Sequence, residues 1–179
     1  MSLTEFRQWR LDYDMDKVCW LTLDRAGEST NTLSREVLQE LAAIVDECVK
    51  APPRGVVLQS GKKISFVVGA DVREFENVTN PQDAAESIRE VHALFNRIEA
   101  LPFPVVVTIE GYCLGGGLEL ALSCHYRIAK NTEGTRLCFP EVRLGIYPGF
   151  GGSARTTRLL GGPKALELML SSRMVRASQ

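Results

Sequence analysis

Two acidic residues of this sequence stand beside glycine-rich turns, in surroundings suited to chemistry. Glu119 follows the three glycines at 115–117, and its other neighbours are leucine, alanine, serine and cysteine. Burying an unpaired charge is costly, so Glu119 either points to water or works in a dry cavity. Glu141 follows Pro140 and is either a second carboxylate of that cavity or a solvated loop residue. The residues expected to give Glu141 an apolar setting are Val142, Leu144 and Ile146.

Two carboxyl groups around one cavity permit proton transfer at both ends of a small molecule. Apolar surroundings and mutual repulsion can push their pKa values apart, which gives one acid and one base. A helix that starts at the glycines 115–117 would present N–H groups without internal partners, at the positive end of its dipole. Such groups bind a phosphate or stabilise charge that develops on a carbonyl oxygen. The carbonyl alternative needs a second donor, which the loop 69–71 could supply.

The phosphate alternative has weaker support in the sequence. The glycines 115–117 do not complete G-x-G-x-x-G, because Leu120 occupies the last place, and no P-loop lysine follows. The stretch 149–154 fits G-x-G-x-x-A, but it follows Pro148 and no clear apolar strand. It is therefore either a dinucleotide site or a tight turn into a helix.

Composition and charge argue against several classes of protein. The 179 residues carry 21 basic and 22 acidic side chains, a net charge of −1, which disfavours a nucleic-acid surface. The five cysteines are odd in number and form no C-x-x-C motif, and only two histidines are present. This pattern disfavours a disulfide framework or a zinc site and predicts a reducing, cytoplasmic location. No apolar stretch approaches the ~20 residues of a membrane span.

The surrounding pattern predicts the elements that must position these residues. Apolar runs that alternate with amphipathic stretches predict an α/β fold with a mainly parallel sheet. Ser34 and the pair Asn80-Pro81 are typical helix starts. The predicted strands are 6–13, 18–23, 55–59, 66–68, 105–109 and 126–130. The predicted helices run from 34 to about 50, from 80 onward, from the glycines 115–117 onward, and over 153–160 and 163–170.

Four motifs occur in the order found in the enoyl-CoA hydratase/isomerase (crotonase) family, which the sequence resembles over nearly its whole length. These motifs are residues 69–71, 115–119, 140–141 and 144–152. More narrowly, residues 113–129 and 148–161 resemble the N-terminal hydratase portion of multifunctional fatty-acid oxidation alpha subunits. The resemblance implies a spiral of repeated β-β-α units. It also implies that residues 1–179 form one crotonase-like domain, a fragment of a longer multifunctional chain that is truncated before the C-terminal helices of the family.

The resemblance also assigns roles to individual residues. It implies that the backbone N–H groups of Ala70 and Gly116 form an oxyanion hole for the carbonyl oxygen of a CoA thioester. Glu119 would hold and activate a water molecule, and Glu141 would exchange a proton at the carbon next to the carbonyl. The implied reaction is the syn hydration of trans-2-enoyl-CoA to 3-hydroxyacyl-CoA in fatty-acid β-oxidation. Isomerisation of 3-enoyl-CoA to 2-enoyl-CoA is a second expected activity.

The CoA group of such a substrate needs its own contacts. Lys62 and Lys63 either meet its phosphates or form a solvated turn, and the resemblance implies that the adenine lies near Val68, Ala70 and Val72. No cofactor is expected for hydration, whereas NAD would serve only a dehydrogenase region of a longer chain. Expected partners are further copies of the chain or, in a full-length protein, a thiolase beta subunit. The alternative to a hydratase is an acyl-CoA-binding fragment that is inactive without further residues.

Overall fold

A computed structural model of the protein describes residues 6–77 and 80–179. Strands β1 (Trp9–Tyr13) and β2 (Val18–Leu23) form an antiparallel hairpin. Helix α1 (Arg35–Lys50) follows, and the side chain of Ser34 accepts a hydrogen bond from the N–H of Val37, as expected for an N-cap. The hairpin and the start of this helix confirm the predictions made from the sequence.

Three further units each contain two strands followed by a helical segment. The first contains β3 (Gly55–Ser60), β4 (Ser65–Val67), a 3-10 helix (Val72–Asn77) and α2 (Pro81–Glu99). The second contains β5 (Val105–Ile109), β6 (Tyr112–Leu114) and α3 (Gly116–Ser123). The third contains β7 (Tyr126–Ala129), β8 (Arg136–Cys138) and a 3-10 helix (Glu141–Leu144). Helices α4 (Gly152–Leu160) and α5 (Gly162–Ser171) follow.

Each of these units contributes one strand to each of two sheets. The larger sheet has the order β1-β2-β3-β5-β7 and is parallel except between β1 and β2. The smaller sheet, β4-β6-β8, is entirely parallel. The chain therefore winds as a spiral of β-β-helix units, which confirms the fold class implied by the resemblance.

The hydrophobic core fills the space between the larger sheet and helices α1 and α2. Leu21 and Leu58 of the sheet, Leu41 and Ile44 of α1, and Ile98 of α2 line one small internal gap there. The buried cluster continues through the smaller sheet to α3, whose residues are almost all buried. The position of α3 inside the molecule explains its apolar composition and makes the environment of its one carboxylate dry. Within residues 6–77 and 80–179, no helix combines the length and apolarity that crossing a membrane requires.

Candidate active site

The loops that leave β4, β6 and β8 lie side by side at one edge of the smaller sheet. Val67 of β4 is paired with Cys113 of β6, and Leu114 of β6 is paired with Cys138 of β8. Because the three strands are parallel, their carboxyl ends meet at the same edge. The structure thus brings together three of the motifs that are far apart in the sequence, residues 69–71, 115–119 and 140–141.

Two backbone N–H groups in these loops are available to a ligand. A Cβ atom built on Gly116 would lie 3.3 Å from the nitrogen of Ala70, so these two residues are close neighbours. Gly69 (φ +114°) and Gly115 (φ +50°), which precede them, adopt backbone conformations that favour glycine. Within the described residues, neither the N–H of Ala70 nor that of Gly116 donates to a protein acceptor. Two adjacent free N–H groups can bind one oxyanion.

Glu119 is buried one turn into α3, with a relative exposure of 2%. Its Oε1 accepts hydrogen bonds from the N–H groups of Phe150 and Gly152, both at 2.7 Å. Burial raises the pKa of Glu119 to about 7, and the charge of Glu141 acts in the same direction. The two N–H groups and Arg155 act against this rise. Glu119 is therefore a carboxyl group whose protonation changes near neutral pH, as an acid–base catalyst requires.

Glu141 is the second buried carboxyl group of the site, with a relative exposure of 7%. Its Oε2 is buried and has no hydrogen-bond partner within the described residues. Burial raises the pKa of this carboxyl as well. The charge of Glu141 also raises the pKa of Glu119, so the two carboxyl groups lie within electrostatic reach of each other.

The surroundings of Glu141 differ from those expected from the sequence. The prediction of an apolar setting made by its sequence neighbours is wrong, because the 3-10 helix that follows Pro140 and the residues just after this helix leave the neighbouring side chains exposed. These residues are Val142, Leu144 and Ile146, with relative exposures of 40%, 62% and 47%. The wall beside Glu141 is instead the bare backbone of Gly115, where a Cβ atom would lie 2.9 Å from Glu141 Oε1. Glycine at this position leaves room for the carboxylate.

The stretch 149–154 is the tight turn into α4. The N–H groups of Phe150 and Gly152, which a phosphate would need, already donate to Glu119. The sequence did not reveal this role, because the contact joins residues about thirty positions apart. Arg155 was also missed; it is 7% exposed and donates to Glu99 Oε2, Asn96 Oδ1 and the carbonyl of Phe150. Its place just after a glycine-rich stretch is the only signal in the sequence, because its burial is visible only in the structure.

The two lysines predicted to meet CoA phosphates have different surroundings. The Nζ atom of Lys62 donates to the carbonyl of Arg25 and pairs with Asp24 Oδ1, both at 2.8 Å. Lys63 is exposed and has no partner within the described residues. Both line an open groove together with Lys130. The residues predicted near the adenine are partly or largely exposed: Val68, Ala70 and Val72.

The fold and this arrangement define a class of protein, and comparison with known families agrees with it. The family model for enoyl-CoA hydratase/isomerase matches residues 14–179. The chain therefore belongs to the enoyl-CoA hydratase/isomerase family.

Individual relatives are more specific. The chain is 45% identical over 166 residues to the fatty acid oxidation complex subunit alpha of Shewanella sp. (strain W3-18-1) and 46% identical to that of Shewanella amazonensis. Each alignment covers 92% of this chain but only 23% of the relative. Among solved structures, the enoyl-CoA hydratase of Bacillus anthracis matches with a TM-score of 0.86 at 33% identity, covering 96% of this chain and 65% of that one. A Geobacillus kaustophilus structure described as enoyl-CoA hydratase subunit I matches with a TM-score of 0.85 at 31% identity, covering 98% and 65%.

Proposed function

We propose that this domain catalyses the syn addition of water to trans-2-enoyl-CoA, which gives 3-hydroxyacyl-CoA in fatty-acid β-oxidation. One observation carries the proposal. Two free N–H groups, on Ala70 and Gly116, occur beside two buried carboxyl groups, Glu119 and Glu141, at one edge of a parallel sheet. Membership of the enoyl-CoA hydratase/isomerase family supports the assignment.

The chemistry needs charge stabilisation at one end of the substrate and proton transfer at the other. When the oxygen of water attacks C3, negative charge builds on the thioester oxygen. The N–H groups of Ala70 and Gly116 would hold that oxygen, and loss of one such donor typically costs about 3–4 kcal/mol of transition-state stabilisation. No electron is transferred in this step, so hydration itself calls for no redox cofactor.

The two glutamates would move the protons. Glu119 accepts a proton from the attacking water as the C3–O bond forms, and Glu141 in its protonated form gives a proton to C2. One water molecule is thus added as OH at C3 and H at C2, and the two carboxyl groups return to their starting states by proton exchange. The pKa of Glu119, raised to about 7, favours such an exchange near neutral pH, and burial raises the pKa of Glu141 in the same direction.

The test is hydration of crotonyl-CoA, followed as the loss of enoyl-thioester absorbance, in the longest natural chain that carries this sequence. Glu119→Gln and Glu141→Gln should each lower kcat by at least about 10²-fold. Glu90→Gln, an exposed change on α2, serves as the matched control and should leave kcat unchanged. CoA binding should survive in all variants.

Other outcomes of this experiment are equally clear. Full turnover by either active-site variant would remove the role assigned to that glutamate. Hydration by the longest natural chain, with binding of crotonyl-CoA but no hydration by residues 1–179 alone, would favour the alternative, an acyl-CoA-binding fragment.

We also propose a second activity, the isomerisation of 3-enoyl-CoA to 2-enoyl-CoA. It requires only that one carboxyl group take a proton from C2 and return it at C4, so Glu141 alone would suffice. With trans-3-hexenoyl-CoA as substrate, Glu119→Gln should retain much of the isomerisation while Glu141→Gln loses it. An equal loss of isomerisation activity in both variants would contradict the assignment of this activity to Glu141 alone.

The wider setting is part of the same proposal. The relatives named as subunit alpha of a fatty acid oxidation complex suggest that this domain belongs to a longer multifunctional chain. We propose that this longer chain assembles with a thiolase beta subunit or with further copies of itself. NAD would then serve a dehydrogenase region outside this sequence. A cytoplasmic location and CoA contacts at Lys62, Lys63, Val68, Ala70 and Val72 complete the proposal.

A further inference from the structure

One peptide unit connects Glu119 with a histidine on the surface of α2. The N–H of Phe150 donates to Glu119 Oε1 at 2.7 Å. The carbonyl oxygen of the same unit belongs to Gly149 and lies 2.6 Å from Nε2 of His92. Because a carbonyl oxygen can only accept, Nε2 of His92 must carry the hydrogen. A trans peptide unit is planar and points its N–H and C=O in opposite directions, so fixing the carbonyl also fixes the N–H that faces Glu119.

The other donor to Glu119 is oriented in a different way. The N–H of Gly152 belongs to the peptide unit whose carbonyl is on Gly151, and that carbonyl accepts from the main-chain N–H of Arg155 at 3.1 Å. This is an ordinary hydrogen bond of the first turn of α4. The peptide unit before Phe150 lies outside the helix and depends on a side chain instead.

One face of α2 holds the turn that contains both donors. His92, Phe95, Asn96 and Glu99 are spaced at i, i+3, i+4 and i+7 and therefore share a helix face. Phe95 packs edge-on against the ring of Phe150, with 6.1 Å between ring centroids. Asn96 and Glu99 accept from Arg155. The contact of His92 with Gly149 is thus one end of a continuous contact between α2 and the turn.

We propose that His92 is a positioning residue for the hydration reaction. By donating to the carbonyl of Gly149, it orients the N–H of Phe150 that holds Glu119, and it polarises that N–H, because hydrogen bonds in series strengthen one another. The inference rests on the proposed role of Glu119. It gives the reaction a determinant on the protein surface that does not touch the substrate.

The exposure of His92 makes this inference easy to test. The side chain lies on the outside of α2, whereas the adjacent Val91 and the later Phe95 are buried. Replacing His92 therefore opens no gap in the core. His92→Phe removes the donor and keeps a ring, and His92→Gln keeps an N–H donor. Arg89→Gln, at an exposed position of the same helix, is the matched control.

The experiment measures kcat and KM for crotonyl-CoA, together with urea unfolding, in the longest natural chain that carries the sequence. His92→Phe should lower kcat about 10-fold, the effect of losing one hydrogen bond, with KM changed less than about twofold. His92→Gln should recover most of kcat, and Arg89→Gln should equal the parent. All variants should unfold at the parent urea concentration.

Results that contradict the role of His92 can be distinguished from results that contradict the proposed hydration function. Unchanged kcat in His92→Phe, beside an inactive Glu119→Gln, would overturn the role of His92 alone. Equal losses of kcat and of stability in His92→Phe and His92→Gln would also overturn it, because they would indicate a purely structural contact. Full activity of Glu119→Gln would instead remove the proposed function on which the inference rests.

Discussion

Gly152 is the residue whose replacement should reveal most about the active site. A Cβ atom at this position would lie 2.6 Å from Cγ and 2.8 Å from Oε1 of Glu119, and 3.0 Å from Cε1 of Phe139. Carbon atoms in contact normally keep about 3.5 Å, so some group must retreat by roughly 1 Å in Gly152→Ala. Phe139 is fully buried and has little room to move. The side chain of Glu119 is therefore the group that we expect to shift.

The structure sets the size of the effect. The shift would lengthen the hydrogen bond from the N–H of Gly152 to Glu119, now 2.7 Å, and a hydrogen bond to a charged group contributes about 1.5–3 kcal/mol. A displacement of about 1 Å at a reacting group can cost about 10²-fold in rate. We expect Gly152→Ala to lower kcat for crotonyl-CoA by about 10²-fold and the free energy of unfolding by about 1–3 kcal/mol.

The control is the same substitution where space is available. Gly162 begins α5, and a Cβ atom there would meet nothing within 4 Å. Steady-state hydration and urea unfolding of Gly152→Ala and Gly162→Ala, measured together, separate crowding at Glu119 from the general effect of replacing glycine in a helix. A folded Gly152→Ala protein with kcat near that of the parent would refute the reasoning.

Three further predictions concern charge. Because burial raises the pKa of Glu119 from 4.5 to about 7, its contribution to stability is complete below 4.5 and is lost as the pH rises through 7. In urea titrations at pH 8, the free energy of unfolding of Glu119→Gln should therefore be about 1–3 kcal/mol higher than that of the parent. This gain in stability should become smaller towards pH 5. A gain that does not depend on pH would contradict the proposed cause. Lys63→Ala should weaken CoA binding about 2–5-fold in calorimetry without loss of stability, because Lys63 has no protein partner within the described residues. Lys62→Ala should lower stability, because Lys62 pairs with Asp24, and unchanged CoA affinity in Lys63→Ala would argue against a phosphate contact there.

The elements that could be predicted from the sequence carry their information locally. Ser34 caps α1 and Asn80 caps α2, where polar side chains precede amphipathic runs. Strands β6 and β8 were not predicted from the pattern, because three residues are too few to show an alternation. Strand β4 is equally short, but it was predicted because residues 66–68 form a continuous apolar run. The repetition of the β-β-helix unit could not be predicted from the sequence either, because the units share a backbone arrangement and not a repeated sequence.

The candidate site was predictable to the extent that its residues have unusual neighbours. Glu119 stands out because it is a charge in an apolar helix after three glycines, and Glu141 follows a proline next to a second glycine-rich stretch. His92 and the N–H of Phe150 have ordinary sequence neighbours. Their importance arises only where α2 packs against the turn before α4, which is a tertiary contact.

The two oxygens of Glu119 explain why a carboxylate is placed in this helix. Oε1 accepts both N–H groups of the turn, from Phe150 and Gly152, and is thereby held in place. Oε2 accepts no hydrogen bond from the described residues. A carboxyl group with one oxygen anchored keeps a fixed orientation while the other oxygen remains available to take a proton from water. The cost of burying the charge appears as the raised pKa, which places its protonation where a general base near neutral pH works best. Anchoring and burial thus have opposite effects on the pKa, since each donor that holds Oε1 in place also limits how far burial can raise it.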